Sequence, residues 1–160
     1  MARRLSRDKR PALPEEYPRD RCGEPPTPEL LLAVKQFNTR EYFECHETLE
    51  AIWLREPEVV RTLYKGVLQV GVGCFHLLRD NYRGASVKLQ SGRAYLEPFA
   101  PECMGINVGK LIDDTTTLLA AVVACGSHGT QQVDRMLLPT IELNPHTDSE
   151  ESDPGGMTGK

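Results

Sequence analysis

Apolar residues recur at helical spacing through most of the chain between positions 27 and 125. Side chains at i, i+3, i+4 and i+7 share one face of an α-helix, so this spacing predicts amphipathic helices. Capping residues and prolines divide the pattern into five segments. These segments run from Pro28 to Phe37, from the cap Asn38 to Arg55, from Val59 to Leu78, from the cap Asn81 to Leu96, and from the cap Asn107 to the residue before Gly126. No strand series and no internal repeat is visible.

The third predicted helix is apolar on nearly its whole circumference, which is typical of a helix in the middle of a bundle. It also contains Gly66, Gly71 and Gly73, each of which costs about 0.5–1 kcal/mol relative to alanine in a helix interior. We expect close approach by a neighbouring helix to compensate for this cost. The predicted fold is therefore all-α, a compact bundle of about five helices with the third in the centre and the second and fourth beside it.

The two ends of the chain differ in composition from the helical part. Residues 1–26 are rich in Arg and Pro, and residues 144–160 are acidic and rich in Gly. These compositions predict a flexible basic arm over 1–26, one helical domain over 27–143 and a disordered tail over 144–160. Within the domain, residues 130–143 are ambiguous and favour a short helix followed by an extended segment laid on the bundle.

Charge argues against a nucleic-acid partner, and hydropathy excludes a membrane anchor. The net charge is −4, and residues 1–26 hold seven basic against five acidic side chains, so the body is the acidic part. An acidic body argues against a nucleic-acid partner. The most apolar stretch, from Gly66 to Leu78, carries Gln69 and His76 and is too short for a membrane span. No apolar core of a secretory signal follows the first residues.

The five cysteines, at positions 22, 45, 74, 103 and 125, are odd in number and form no Cys-x-x-Cys pair. This pattern is typical of reduced thiols in a cytoplasmic protein. Cys45, Cys74 and Cys125 lie within apolar helical patterns, where a free cysteine behaves as a small hydrophobic side chain.

The second predicted helix carries ionisable residues on the face that should turn inward. A step of 100° per residue gathers Tyr42, Phe43, His46, Leu49, Glu50 and Trp53. We therefore expect His46 and Glu50 to be buried and to have partners, because desolvating an isolated charge is very costly. The run His46-Glu47-x-x-Glu50 differs from the zinc motif His-Glu-x-x-His in its last position. That difference removes most of the motif's specificity.

A second polar strip, Gln69 and His76, lies on the third helix at i and i+7. If the two helices are antiparallel, His46 and His76 lie at similar height, and a polar site forms between them. Three interpretations remain open: a divalent metal site for zinc, manganese or iron, a pocket for a non-metal ligand, or a structural hydrogen-bond network. In the metal interpretation the ligands are His46, Glu50 and His76, the base is Glu47, and the surrounding residues are Tyr42, Trp53, Gln69, Asn81 and Arg83.

Arg83 and Gly84 follow the predicted cap Asn81 at the start of the fourth helix. Arg83 is unfavourable beside the positive end of the helix dipole unless it pairs with a carboxylate, for which Glu47 and Glu50 are the candidates. For Gly84, close packing is favoured over anion binding.

Three linked motifs resemble a known family. They are Phe37-Asn38 with Tyr42-Phe43-Glu44-x-His46-Glu47-x-Leu49-Glu50-x-x-Trp53, then Gly66-Val67-Leu68-Gln69 with His76, and then Asn81-x-x-Gly84-Ala85. In this order, from about Pro28 to Val123, they resemble the family named domain of unknown function three hundred and nine. The resemblance implies a compact all-helical domain, and the family's label of predicted metal-dependent hydrolase implies His46, Glu47, Glu50, Gln69 and His76 as positions to test. Gly71 and Gly73 depart from typical members, which have small or branched apolar residues there.

The leading functional hypothesis from the sequence is a small intracellular protein with a polar, metal-binding site between its second and third helices. If it is an enzyme, hydrolysis by a metal-activated water is the natural chemistry for these residues. The alternative is a non-catalytic scaffold or interaction domain in which the same residues form a structural network. The expected partner is a small molecule or a protein.

Overall fold

The computed structural model describes residues 20–144, and within them five α-helices follow one another along the chain. Between α4 and α5 two short strands pair antiparallel, and of four short 3₁₀ helices one precedes α1, one follows α4 and two follow α5. The elements are α1 Pro28–Asn38, α2 Tyr42–Arg55, α3 Arg61–Leu78, α4 Tyr82–Leu96, β1 Glu102–Cys103, β2 Ile106–Asn107 and α5 Val108–Cys125, with 3₁₀ turns at Asp20–Gly23, Glu97–Phe99, Thr130–Gln132 and Arg135–Leu137. The predicted all-α class is confirmed.

Side-chain caps begin three of the helices, as the sequence predicts. The Leu30 N–H donates to Thr27 Oγ1 at 3.1 Å, the Gly84 N–H donates to Asn81 Oδ1 at 2.9 Å, and the Lys110 N–H donates to Asn107 Oδ1 at 2.9 Å. Each bond satisfies one of the N–H groups that a helix start leaves without an intrahelical partner. At the other end of α5, Gly126 follows the last residue with φ of 78°, a conformation that favours glycine.

The predicted cap of α2 is wrong. Asn38 is the last residue of α1, and its side chain is bonded to Ile141 instead: Nδ2 donates to the Ile141 carbonyl at 3.0 Å, and the Ile141 N–H donates to Oδ1 at 2.7 Å. Glu41 occupies the N-cap position of α2 and makes no side-chain cap bond. The Asn38 side chain is thus bonded to the backbone of Ile141, 103 residues away, instead of to the N-terminus of α2.

Helix α3 lies in the centre, packed against α2 on one side and α4 on the other, while α1 packs on α2 and α5 on α4. The predicted close approach at Gly73 is confirmed. A Cβ on Gly73 would lie 2.8 Å from Leu89 Cγ and 3.0 Å from the Leu89 backbone nitrogen on α4. Gly71 differs, because a Cβ there would meet the rings of Phe37 and Tyr42 at 3.7 Å, which is ordinary contact.

Two helical hairpins, α1–α2 and α3–α4, turn through the same corner. In the first, Arg40 has φ of 66° and the Glu41 N–H donates to the Gln36 carbonyl at 2.8 Å. In the second, forty positions later, Asp80 has φ of 61° and the Asn81 N–H donates to the His76 carbonyl at 2.8 Å. The chain therefore contains a structural repeat that its residue identities do not reveal.

The segment after α5 runs over both corners and back to the β1–β2 hairpin. Thr130 and Gln131 donate side-chain hydrogen bonds to the Asp80 carboxylate at 3.3 and 3.2 Å. Further on, the Asn144 N–H donates to the Gly105 carbonyl at 2.7 Å, and Ile141 is buried. The predicted extended segment is confirmed, and two 3₁₀ turns take the place of the predicted short helix.

A disulfide joins Cys22 to Cys103 across a sequence separation of 81, so the prediction of five reduced thiols is wrong for this pair. Only the fold brings these two distant residues together, and the expected cytoplasmic location rested partly on their being reduced. Beside the disulfide, the Arg21 guanidinium donates to the Glu56 carboxylate at 2.6 Å. Residues 20–26, which their composition places in the flexible arm, are therefore attached to the bundle.

The rest of the predicted arm, residues 1–19, and the tail from 145 to 160 lie outside the described residues. Cys45, Cys74 and Cys125 are free thiols, and the first two are buried. Within residues 20–144 no helix is both long enough and apolar enough to cross a lipid bilayer.

A candidate binding pocket between α2 and α3

A pocket of about 220 Å³ opens between α2 and α3. Its walls are mostly apolar and aromatic, with one imidazole from each helix. The lining residues are Tyr42, Phe43 and His46 of α2 and Val72, Phe75 and His76 of α3. A volume below the usual few hundred cubic ångströms of a drug-sized site suits a single ring or a short side chain. The sequence placed His46 and His76 at this interface but missed Val72 and Phe75, whose signal is their position at i−4 and i−1 from His76.

His46 and Glu50 are not buried as expected. Their side chains are 38% and 49% exposed, and His46 Nε2 lies 3.5 Å from Glu50 Oε1. The buried face of α2 is instead formed by Tyr42, Cys45, Leu49 and Ile52. Cys45 lies inside in place of His46, and its buried thiol donates to the Ala33 carbonyl of α1 at 3.3 Å. A helix packed against both α1 and α3 therefore holds the His46–Glu50 pair at its edge.

His76 lies at the junction of α3 with the start of α4. Its Nδ1 is 3.2 Å from Nδ2 of Asn81, the residue that caps α4. Burial lowers the pKa of His76, and the nearby Lys88 lowers it further. The imidazole also packs closely against Gly84, where a Cβ would lie 2.7 Å from both its Cγ and its Cδ2. The motif Asn81-x-x-Gly84 thus caps the helix, contacts the histidine and leaves room for its ring.

The predicted site residues Glu47, Arg83 and Gln69 lie outside this arrangement. Glu47 and Arg83 are exposed, and in the described part of the chain Arg83 forms no ion pair with Glu47 or Glu50. Gln69 is half-buried on α3 and does not line the pocket. The expected closure of the site by Arg83 therefore does not occur.

Trp53 is at the opposite end of α2 from His46. It is partly buried against the core, and two cations of α3 lie over its ring: the Arg61 guanidinium at 4.6 Å and the Lys65 ammonium at 5.3 Å from the ring centroid. A cation over an indole face is attracted by the ring quadrupole. Trp53 therefore joins α2 to the start of α3 and has no part in the pocket.

Behind the pocket lies a buried group of weak acids. The Tyr42 hydroxyl is near the Cys74 thiol, but no partner with good hydrogen-bond geometry is found for it among the described residues. Burial raises the pKa of Tyr42, and it raises the pKa of Cys45 and of Cys74 to about 12. Both thiols are therefore protonated near neutral pH and are poor nucleophiles.

The predicted metal ligands are not gathered into one site. In residues 20–144 no group of three or more His, Cys, Asp or Glu side chains is placed to hold a metal ion. His46 and Glu50 are adjacent, and His76 shares the pocket with His46, but the three do not form a common donor set. The donors present do not fit the metal centre that the resemblance implies.

Comparison with known proteins confirms the resemblance for the first part of the domain. Residues 30–87 match the model of the family described as Domain of unknown function (DUF309). The chain is also 37% identical over 78 residues to the "Uncharacterized protein YpuF" of Bacillus subtilis (strain 168), a match that covers 47% of this chain and 45% of that protein. No solved structure matches the chain significantly. The family match contains both walls of the pocket together with Asn81 and Gly84, and neither description names an activity.

Proposed function

We propose that this protein is a non-catalytic binding domain whose pocket between α2 and α3 takes a ligand with one apolar ring, or a similar side chain, and a hydrogen-bonding group. The observation that carries this proposal is the pairing of aromatic walls with two accessible imidazoles, His46 and His76, in a single pocket.

The apolar walls would supply most of the affinity for the ligand, and the two imidazoles would fix the ligand's orientation. Burying apolar surface is worth about 25 cal/mol per Å², so a single ring gains modest, non-directional affinity. Polar groups at fixed positions then select among ligands of similar shape. Phe43 at the edge of the pocket is 59% exposed, and an exposed aromatic side chain beside a pocket is typical of a binding surface.

A metal-dependent hydrolase is the second candidate. The observation that favours it is the His46–Glu50 pair, a nitrogen and an oxygen donor one helical turn apart at 3.5 Å. It is the weaker candidate because the described residues provide no third donor beside this pair, and because Glu47, the base it would require, is exposed.

Amide NMR with benzoate as the probe tests the binding proposal. We expect saturable shifts confined to residues 42–46 and 72–76, with a dissociation constant on the order of millimolar for so small a molecule. Phe43→Ala should weaken this binding several-fold. Leu54→Ala is the matched control, because Leu54 is an apolar residue on the same helix, 66% exposed and outside the pocket.

Two results would decide against the proposal. The first is the absence of saturable shifts, or an equal loss of binding in both variants. The second is stoichiometric binding of zinc, manganese or iron that disappears in His46→Ala/Glu50→Ala, which would favour the metal-dependent enzyme.

A further inference from the structure

The amide of Asn81 has only one possible orientation. Its Oδ1 accepts the Gly84 N–H at 2.9 Å, in the cap of α4. Rotating the amide by 180° would place its NH₂ group against this N–H, and two donors would then face each other. The Asn81 atom that lies 3.2 Å from His76 Nδ1 is therefore Nδ2, which can only donate.

This orientation determines the tautomer of His76. Because Asn81 Nδ2 donates, His76 Nδ1 has to accept and cannot carry a proton. A neutral imidazole with an accepting Nδ1 carries its proton on Nε2. Within residues 20–144, Nε2 has no hydrogen-bond partner, and His76 lines the pocket. The surroundings agree with a neutral ring, since burial and Lys88 both disfavour its protonated form.

We infer that Asn81 fixes His76 as an Nε2–H hydrogen-bond donor, so that the pocket selects ligands that carry an acceptor oxygen on an apolar ring, and His76 is not a metal ligand. Coordination through Nε2 would require its proton to move to Nδ1, where the Asn81 amide already donates. The ligand class rests on the proposed binding function, whereas the tautomer of His76 does not.

His46, on the other wall, contrasts with His76. Its Nε2 lies 3.5 Å from the Glu50 carboxylate, an acceptor. The pocket thus has one imidazole beside a carboxylate and one beside an amide donor. Asn81 acts on the ligand through His76 and is a positioning residue.

Long-range proton–nitrogen NMR of the His76 ring tests the tautomer directly at neutral pH. In the parent protein we expect Nε2 to be protonated and Nδ1 to be unprotonated. Asn81→Asp keeps a good N-cap but replaces the amide donor with an acceptor, so the proton should move to Nδ1. Asn81→Ser keeps a capping hydroxyl and removes the donor, so both tautomers should be populated. A protonated Nδ1 in the parent, or an unchanged ring in Asn81→Asp, would overturn the inference.

Ligand binding separates this inference from the proposed function. Benzoate should bind the parent more tightly than benzylamine, whose ammonium group donates hydrogen bonds but cannot accept one, and Asn81→Ser should weaken benzoate binding about threefold, as expected for the partial loss of one hydrogen bond. If benzoate does not bind but Nε2 is protonated, the proposed function and the ligand class fail while the tautomer stands. If benzoate binds and Nδ1 is protonated, the inference alone fails. Zinc at equimolar concentration should leave the His76 nitrogens unchanged, and coordination there would also overturn it.

Discussion

The two helical hairpins share one backbone plan and differ in how their helices approach each other. Both turn at a residue in the left-handed region, Arg40 or Asp80, and continue into a tyrosine that begins the next helix. Their buried positions also correspond. Leu30, Ala33, Val34 and Phe37 of α1 match Val70, Gly73, Cys74 and Leu77 of α3, and Cys45, Leu49 and Ile52 of α2 match Ala85, Leu89 and Gly92 of α4.

The first hairpin fills its interface with side chains, whereas the second brings backbones together. Ile52 in the first hairpin corresponds to Gly92 in the second, where a Cβ would lie 2.8 Å from the Val70 backbone nitrogen. Large side chains keep two helix backbones further apart, whereas glycine lets the backbones come into contact but lowers helix propensity. The second hairpin is therefore the more sensitive to added volume.

The corners differ in chemistry as well. In the first hairpin Gln36 accepts a hydrogen bond from the Thr48 hydroxyl at 2.8 Å, and Asn38 is bonded to Ile141, so polar side chains are used for structure. In the second, the residue in the Gln36 position is His76, with an Asn81 cap and a free Nε2 within the described residues. One backbone plan thus appears twice: in the first copy the corner residues Gln36 and Asn38 are held in hydrogen bonds, whereas in the second copy His76 lines the pocket.

Loss of the disulfide has the largest expected effect on stability, because the bond joins Cys22, which precedes the first hairpin, to Cys103, which follows the second. Cys22→Ser/Cys103→Ser should lose about 2–4 kcal/mol of unfolding free energy, since the bond restrains an unfolded loop of about 80 residues. Urea unfolding with and without a thiol reductant measures this loss. The reduced parent should match the double variant, and a parent midpoint that does not change on reduction would contradict the prediction.

Alanine in place of glycine on α3 tests the close contact in the second hairpin. Gly73→Ala should destabilise the protein by about 1–3 kcal/mol, because its Cβ overlaps Leu89. Gly71→Ala is the matched control two residues away, where space exists, and it should stabilise the protein by about 0.5–1 kcal/mol. Thermal and urea unfolding report both changes. Equal effects at the two sites would show that the contact is looser than described.

The two corners should respond differently to loss of the residue before the tyrosine. Asn81→Ala should cost about 1 kcal/mol, because it removes the cap of α4. Glu41→Ala removes no cap bond and should stay within about 0.5 kcal/mol of the parent. Chemical unfolding of the two variants side by side makes the comparison, and a larger loss in Glu41→Ala would reverse it.

The smallest expected effect is a pH dependence located at His76. Its pKa is lowered in the folded state, so as the pH falls below about 6.5 the unfolded state takes up a proton before the folded state does. Stability from this group is therefore complete above that pH and decreases as the pH falls towards the folded-state pKa. His76→Gln should flatten the profile of unfolding free energy between pH 7.5 and 5.5. An identical slope in both proteins would exclude His76 as the source.

Local signals in the sequence determined much of this fold. Helical periodicity and the caps at Thr27, Asn81 and Asn107 predicted the helices, and the glycines of α3 predicted a close neighbour. They also placed His46 and His76 at one interface. These signals work because helix formation and capping depend on residues three or four positions apart.

Only the tertiary structure decided which polar residues are buried and which partners they have. Cys45 is buried on α2 in place of the His46–Glu50 pair, Asn38 is bonded to Ile141, and Cys22 is joined to Cys103. Each of these contacts joins residues of different elements, 12, 103 and 81 positions apart, which is beyond the three or four positions over which helical periodicity and caps act. The local pattern predicts that a helix forms and which side of it is apolar, but the helices packed on both sides decide how it is rotated about its axis. The rotation of α2 leaves His46 and Glu50 partly exposed, so an open pocket is found where the sequence predicts a buried metal site.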